Sequence, residues 1–393
     1  MCIENAVRLT GIFCLHPEFS SAVTLLYGLL YLMIEEKTAL VAMSGGVDSS
    51  VAALLTKEAG YRVLGCTMRL YENEDAGIPS GRTCCSLDDV EDARSVARKI
   101  GIPYQVFNFT GEFRSRVMER FAACYEAGGT PNPCLDCNRF LKFDRLLRRA
   151  DELGYRMLVT GHYAKIGRDE EGRFTLLKGP DPRKDQSYFL CGMTQAQLSR
   201  TLFPLGSLTK EEVRRIAEEH GFLNAEKPDS QDICFVPDGD YAAFLRRFTG
   251  RDYPEGDFIL RDGTVVGRHK GIVNYTVGQR RGLGVAWTES LYVIGKDLDR
   301  NAVILGPEKE LYVREVRTKD MNWIRGIAPS RPFRCTAVTR YHQKEAWAEI
   351  VPLENGGIRA VFDEPRRAVS PGQAVVLYDG DRVIGGGEAV DSV

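Results

Sequence analysis

The sequence lacks a long hydrophobic run, an excess of one charge and a cysteine pattern typical of secreted proteins. Its longest apolar stretch, residues 22–34, spans about thirteen residues, whereas a membrane-spanning helix needs roughly 20. Lys and Arg number 52 and Asp and Glu 54, which excludes a uniformly basic nucleic-acid binder but leaves a local basic face open. The eleven cysteines, an odd number spread over 393 residues, indicate reduced thiols and a cytoplasmic protein.

Residues 1–36 are interpreted as an N-terminal extension. Arg8 is the only cation before the apolar run, and Glu35 and Glu36 follow it, which is a poor match to a secretion signal. The alternative is a start at Met33, which lies a few residues before the first predicted strand. No interaction with a membrane is expected.

From residue 37 to about 245, short apolar strands alternate with helices. The predicted strands are 38–43, 62–67, 104–109 and 156–160, and the predicted helices are 49–59, 87–100, 113–126 and 138–153. This alternation predicts an α/β fold with a doubly wound, mostly parallel sheet. Residues after 245 are rich in turns, and from 313 short alternating runs about ten residues apart predict a small β-barrel or sandwich.

A glycine-rich loop, Ser44-Gly-Gly-Val-Asp-Ser-Ser50, connects the first predicted strand to its helix. Its glycines permit a tight turn, and the helix N-terminus that follows offers unpaired N–H groups, so the loop suits a pyrophosphate group. The Gly-Lys-Ser/Thr of kinase-type loops and the dinucleotide pattern GxGxxG are both missing from it. The loop resembles that of the ATP pyrophosphatase superfamily, whose members adenylate a substrate and release pyrophosphate.

Two cysteines are candidates for sulfur or nucleophilic chemistry. Cys137 is predicted to lie at a helix N-terminus beside Arg139 and Lys142, an environment that lowers the pKa of a thiol. Cys234 lies in a predicted loop among carboxylates, which suits a thiol that a partner loads with sulfur. The alternative for any single cysteine is a buried small hydrophobic side chain.

Metal binding by the cysteines has two alternatives. Cys134 and Cys137 have the spacing of half a zinc site, but a second CxxC pair is missing from the sequence. Cys134, Cys137 and Cys234 could instead hold three irons of a [4Fe-4S] cluster and leave one iron open.

The chain resembles the bacterial tRNA-uridine 2-sulfurtransferase family, the tRNA-specific 2-thiouridylases, from about residue 37 to the C-terminus. The strings that carry the resemblance include Ser44–Ser49, Gly65–Met68, Cys84–Ser86, Pro131–Asn138, Thr160–Ala164, Lys184–Tyr188, Ser230–Phe235, Tyr275–Arg280, Arg340–Tyr341 and Pro371–Gln373. The resemblance implies an ATP-binding catalytic domain over residues 37–245, a central domain over 246–312 and a C-terminal β-barrel over 313–393.

The resemblance also implies a reaction. ATP with Mg²⁺ would adenylate the 2-carbonyl oxygen of the wobble uridine in tRNA. A persulfide on Cys234, loaded by a sulfur-relay protein or a cysteine desulfurase, would attack the activated carbon. Cys137 would then form a disulfide with Cys234, which releases 2-thiouridine.

The residues that this family uses map onto two sets of positions. The ATP-binding set is Ala42, Met43, Ser44, Gly45, Gly46, Val47, Asp48, Ser49, Met68 and Gly161. The tRNA-binding set is Asn132, Pro133, Cys134, His162, Lys184, Asp185, Gln186, Arg340, Tyr341 and Gln373. A flipped base needs an aromatic stacking partner, for which Tyr188 and Tyr341 are candidates.

One departure from the family pattern bears on the chemistry. Many members carry Asp where this chain has Cys134, and the extra thiol favours the iron–sulfur alternative more than in those relatives. Two remoter alternatives are another ATP-dependent amidase or ligase of the superfamily and a non-catalytic RNA-binding protein.

Overall fold

A computed structural model describes residues 37–74, 77, 87–228 and 233–392. The predicted N-terminal extension and the Cys84–Cys85 pair therefore lie outside the described residues. So do residues 229–232, which directly precede the segment that carries Cys234.

Residues 37–245, which were predicted to be the catalytic domain and are called the catalytic region below, are built on a parallel sheet, as predicted. In the described part of the chain its five strands have the order β3-β2-β1-β4-β7. All four pairings between neighbouring strands are parallel. The strands are β1 Thr38–Ala42, β2 Arg62–Arg69, β3 Tyr104–Asn108, β4 Met157–Val159 and β7 Thr201–Leu202. Leu40, at the centre of β1, is fully buried, as expected for a strand covered on both faces.

Helices connect and cover these strands. They are α1 Val47–Glu58, α2 Leu87–Ile100, α5 Gln195–Leu198, α6 Lys210–Glu219, α7 Tyr241–Thr249 and two longer helices that each change their hydrogen-bonding pattern along their length. The longer helices are α3, with segments Thr110–Phe113, Arg114–Met118 and Glu119–Glu126, and α4, with segments Pro133–Asp136, Cys137–Leu146 and Leu147–Glu152. The middle segment of each is π-helical. Such segments occur frequently at functional sites.

The remaining strands form two further sheets. The central one has the order β10-β11-β8-β9, with β8 Gly256–Ile259, β9 Val265–His269, β10 Leu291–Asp297 and β11 Ala302–Pro307. The C-terminal one closes into a six-stranded barrel through the β12–β17 pairing. Its strands are β12 Tyr312–Trp323, β13 Phe333–Val338, β14 Ala346–Pro352, β15 Ile358–Arg367, β16 Ala374–Asp379 and β17 Arg382–Ser392. The barrel alternative, rather than the sandwich, is confirmed.

One hairpin joins the catalytic region to the barrel. Its strands, β5 Ala164–Arg168 and β6 Phe174–Lys178, pair with each other, and β6 pairs with β17 at Leu177 and Arg382. This hairpin was not predicted from the sequence. It extends the barrel sheet to eight strands and places the barrel beside the loop that follows β4. No helix in the described ranges is long and apolar enough to cross a bilayer.

Candidate active site

A cleft with a volume of about 1470 Å³ lies at the carboxyl ends of the parallel strands. Ligands of open α/β sheets bind at this edge. Its lining comes from the glycine loop, β2, the start of α4, the loop after β4, the Cys234 segment and the barrel. Among the predicted residues, the lining includes Ser44, Gly46, Val47, Asp48, Met68, Asn132, Pro133, Cys134, His162, Lys184, Gln186, Cys234 and Tyr341.

The glycine loop is held in a turn by its own side chains. The Ser44 N–H donates to Ser49 Oγ over 3.1 Å, and Ser49 Oγ donates to the Gly46 carbonyl over 3.0 Å. Gly45 has φ +77°, and a Cβ there would come within 2.5 Å of the Asp89 carbonyl oxygen. Gly46 caps α1, so the first N–H groups of the helix lie at the cleft. The tight turn before a helix N-terminus is therefore present as predicted, and anion binding by the loop stays a prediction.

Asp48 is anchored from two distant parts of the chain. Its Oδ1 accepts hydrogen bonds from the Tyr163 hydroxyl and from Lys210 Nζ, each over 2.6 Å. Both donors are buried, and Lys210 begins α6 behind a Thr209 capping box. Asp48 therefore has a clear role in holding the loop in place, in addition to lining the cleft.

Gly161 does not line the cleft but packs against the glycine loop. A Cβ at this position would lie 2.8 Å from the Asp48 carbonyl carbon and 2.9 Å from the Ser49 nitrogen. Only glycine therefore permits the close approach of the β4 end to the loop.

The other predicted nucleotide-binding residues also fall into two groups, those that line the cleft and those that support the loop. Met68 lines the cleft at the end of β2. Ala42 ends β1, and the Met43 side chain is buried. The backbone carbonyl of Met43 accepts a hydrogen bond from Thr67 Oγ1 over 2.6 Å. Ala42 and Met43 therefore lead into the loop, and Met68 faces the ligand space.

The helix that carries two of the thiols begins earlier than predicted. It starts at Pro133 with Asn132 as its N-cap, whose side chain accepts from the Cys134 N–H over 3.2 Å, and not near Asn138. Proline suits the first helical position because its missing N–H would have no partner there. Cys134 is therefore in the first turn, and Cys137 lies one turn further along.

The predicted low pKa of Cys137 is wrong. Burial raises the pKa of this thiol to about 11, and nearby Lys142 opposes the rise without cancelling it. The sequence argument assumed an exposed thiol at a helix end, whereas Cys137 is half-buried and lines neither the cleft nor a smaller cavity between α4 and the barrel. Burial also raises the pKa of Cys134, again opposed by Lys142.

Cys234 is exposed and lines the cleft. The Tyr71 hydroxyl donates to its carbonyl oxygen over 2.6 Å. On the other side of residues 229–232, Lys227 pairs with Asp89 and Asp92 of α2 over 2.6 and 2.7 Å. Contacts with the catalytic region thus hold both ends of the segment that leads to Cys234.

The three thiols of the iron–sulfur alternative do not form a metal site in the described residues. Cys134 and Cys234 line the cleft, but in the described ranges no three His, Cys, Asp or Glu side chains come together as metal ligands. We therefore assign no metal to the three thiols.

His162 is held as a neutral side chain. Its Nδ1 lies 2.7 Å from Thr160 Oγ1, and its Nε2 lies 3.4 Å from Lys142 Nζ. Burial and the Lys142 charge lower the pKa of His162 well below its usual value. Because an ammonium group only donates, Nε2 accepts from Lys142 and Nδ1–H faces the threonine hydroxyl.

The 184–186 loop contributes two side chains to the cleft. Lys184 and Gln186 line it, whereas Asp185 turns away and accepts from the Gly179 N–H and the Ser187 hydroxyl over 2.9 and 2.7 Å. The Asp185 carbonyl accepts from the Tyr341 hydroxyl over 3.1 Å. Asp185 is thus placed to shape the loop and position Tyr341.

Aromatic rings form one side of the cleft. The ring centroids of Tyr341 and Phe189 are 4.3 Å apart, and both residues line the cleft. Of the two predicted stacking candidates, Tyr341 is accessible, but Tyr188 is buried and bonded to the Ala374 backbone. Arg340 lies behind Tyr341 and donates to the Val277 carbonyl over 3.1 Å.

The second cavity, of about 510 Å³, lies between α4 and the barrel. It shares Pro131, Asn132, Asn138 and Phe189 with the cleft. Gln373 lines this cavity and donates to the Thr130 carbonyl over 2.8 Å. The predicted tRNA positions that line a cavity are therefore distributed over two adjoining cavities, whereas Asp185 and Arg340 line neither.

Sequence reasoning missed several residues that build this site. Lys210 and Tyr163 anchor Asp48, and Asn224 donates to the Gly45 carbonyl over 2.8 Å. Lys210 lies 162 residues from Asp48 and Asn224 lies 179 residues from Gly45, and nothing in their local sequence links them to the loop.

Comparison with family models assigns a class to each part of the chain. Residues 37–238 match the tRNA methyl transferase HUP domain, and residues 242–307 match the tRNA methyl transferase PRC-barrel domain. Residues 313–388 match the aminomethyltransferase beta-barrel domain. The fold and the site are those of a HUP-domain enzyme with two appended β-rich domains.

Individual relatives narrow this class. The chain is 46% identical over 355 residues to the tRNA-specific 2-thiouridylase of Magnetococcus marinus, covering 90% of this chain and 99% of the relative. It is 48% identical over 357 residues to that of Acetivibrio thermocellus, with the same two coverages. The chain belongs to the family of tRNA-specific 2-thiouridylases, which places it among the tRNA-uridine 2-sulfurtransferases and confirms the resemblance.

Proposed function

We propose that this protein uses ATP to replace the 2-carbonyl oxygen of the wobble uridine in tRNA by sulfur. The observation that carries the proposal is a single cleft bounded by a preformed phosphate loop on one side and by Cys234 on the other. Ser44, Gly46 and Asp48 face the same space as this exposed thiol. One bound substrate can therefore meet both groups.

The first step is adenylation. The uridine 2-oxygen attacks the α-phosphorus of ATP, and pyrophosphate leaves. Mg²⁺ that enters with the ATP would balance the charge of this leaving group. The glycine loop and the N-terminus of α1 bind the pyrophosphate portion. Adenylation turns a poor oxygen leaving group into AMP, so that sulfur can displace it.

The second step transfers sulfur. A persulfide on Cys234 attacks C2 of the uridine and expels AMP, leaving the base joined to Cys234 through two sulfurs. The Cys137 thiolate then attacks Sγ of Cys234, which forms the Cys137–Cys234 disulfide and releases 2-thiouridine. The two cysteines supply the two electrons that the persulfide sulfur gains, and an external reductant restores both thiols.

Lys142 supports this assignment electrostatically. It favours the thiolate of Cys137 against the effect of burial, and it also contacts His162. We infer that a sulfur-relay protein or a cysteine desulfurase loads Cys234, which is exposed as such a transfer requires. Six of the described cysteines, Cys66, Cys124, Cys134, Cys137, Cys191 and Cys335, are free thiols, which suits the reducing cytoplasm.

The test combines the full chain with unmodified tRNA, ATP–Mg²⁺ and a persulfide donor. The expected products are 2-thiouridine at position 34, AMP and pyrophosphate in equal amounts. Formation of 2-thiouridine by the persulfide-loaded enzyme without consumption of ATP would contradict the proposal. Cleavage of ATP to ADP would also contradict it.

A further inference from the structure

Asn138, the residue after Cys137, occupies the wall between the two cavities. Its side chain is 4% exposed and contributes to the lining of both cavities. Asn138 therefore lies where the helix that carries Cys134 and Cys137 meets the aromatic side of the cleft.

The orientation of the Asn138 amide is determined by one contact. Its Nδ2 donates to the Phe189 carbonyl over 3.1 Å. A flipped amide would place two acceptor oxygens against each other, so the carbonyl of Phe189 selects the orientation in which Oδ1 points away from it.

Asn138 Oδ1 has no hydrogen-bond partner in the described part of the chain, although it is buried. A buried acceptor without a donor is costly, and a ligand that brings an N–H group to it recovers that cost. The unsatisfied oxygen therefore points to a ligand with a donor.

The surroundings indicate a flat ligand. Phe189, whose carbonyl orients Asn138, packs its ring against Tyr341, and both residues line the cleft together with Cys134. Aromatic side chains of this kind stack on unpaired bases, whose Watson–Crick edges are then read by hydrogen bonds.

We propose that Asn138 Oδ1 accepts the N3–H of the target uracil and thereby selects uridine over cytidine. The inference rests on the proposed function. Uracil and cytosine both carry a 2-carbonyl group, so the sulfur chemistry alone does not separate them. At N3, next to the reacting carbon, uracil carries a hydrogen and cytosine a lone pair, which would face Oδ1 unfavourably.

The test compares thiolation of two tRNAs that differ only in U34 or C34. In Asn138→Ala, the ratio of kcat/KM for U34 over C34 should fall at least about tenfold, because the discriminating acceptor is lost. Asn322→Ala is the matched control. Asn322 donates to the Cys191 and Met193 carbonyls over 2.8 and 2.9 Å but lines only the second cavity, so its loss should leave the ratio unchanged.

An unchanged ratio in Asn138→Ala would overturn the inference. Should that variant not fold, wild-type enzyme is assayed on tRNA with N3-methyluridine at position 34. Loss of thiolation is the expected result, and thiolation at the normal rate would overturn the inference. A wild-type enzyme that thiolates neither U34 nor C34 would instead refute the proposed function itself.

Discussion

The two sides of the cleft differ in how completely they are assembled before any substrate binds. On the phosphate-loop side, Asp48 is tied to Tyr163 and Lys210, and the Ser44 N–H is bonded to Ser49. On the thiol side, Cys234 is exposed in the cleft, whereas Cys137 is half-buried, lines neither cavity and has a raised pKa. The comparison teaches that the phosphate loop is preorganised, whereas the sulfur transfer that we propose would require the two thiols to be brought together.

The largest expected effect is a loss of activity without a loss of stability when either thiol of the proposed reaction is replaced. Cys137→Ser and Cys234→Ser should each lower 2-thiouridine formation by more than about 10³-fold, because each thiol forms a covalent bond in the proposed reaction. Their unfolding midpoints should stay close to that of the wild type. Rates are measured by nucleoside analysis and midpoints by urea unfolding.

Cys134→Ser is the matched variant, since Cys134 shares the helix and the cleft. It should retain activity within about tenfold, because the proposed steps do not use this thiol. Loss of activity equal to that of Cys137→Ser would favour a shared role of the three cysteines instead.

A substitution on the phosphate-loop side of the cleft should lower kcat/KM for ATP. Asp48→Asn removes the charge that holds Tyr163 and Lys210, and misplacement of the loop should lower kcat/KM for ATP by about 10²-fold. A buried ammonium group that loses its carboxylate also destabilises the fold, so the double variant Asp48→Asn/Lys210→Met should unfold at higher urea than Asp48→Asn alone. Equal urea midpoints would show that the pair is not coupled.

Gly161→Ala tests the close packing behind the loop. The added Cβ would approach the Asp48–Ser49 backbone to 2.8 Å, so the free energy of unfolding should fall by about 1–3 kcal/mol. Gly154→Ala is the comparison, because a Cβ at Gly154 meets nothing within 4 Å, although its φ of +75° still imposes some backbone strain. A larger loss in Gly154→Ala than in Gly161→Ala would refute the packing argument.

The smallest effect concerns protonation of Cys137. Since its pKa is raised to about 11, the thiol is neutral at pH 7, and its thiolate fraction rises about tenfold per pH unit up to that value. Alkylation of Cys137 by iodoacetamide, followed by peptide mapping, should therefore keep accelerating between pH 8 and 10. Lys142→Met should slow the alkylation of Cys137 relative to the wild type at the same pH, because Lys142 favours the thiolate. A plateau below pH 9 would contradict the raised pKa.

Local patterns predicted the parts of the molecule that local sequence determines. The apolar run of β1, the glycine loop and the alternation of the barrel strands each follow from side-chain periodicity or turn chemistry. The contacts that complete the site join residues far apart in the chain, such as Lys210 to Asp48, and have no local signal. The error at Cys137 arose because burial, which depends on the packed fold, outweighed the helix end and the cations visible in the sequence.

The central claim is that Cys137 and Cys234 cooperate over an adenylated base. The most direct measurement is a single turnover of enzyme carrying a persulfide on Cys234, with tRNA and ATP but no reductant, followed by non-reducing peptide mapping. One Cys137–Cys234 disulfide should form for each 2-thiouridine released. Full release of 2-thiouridine with both cysteines recovered as free thiols would contradict the account.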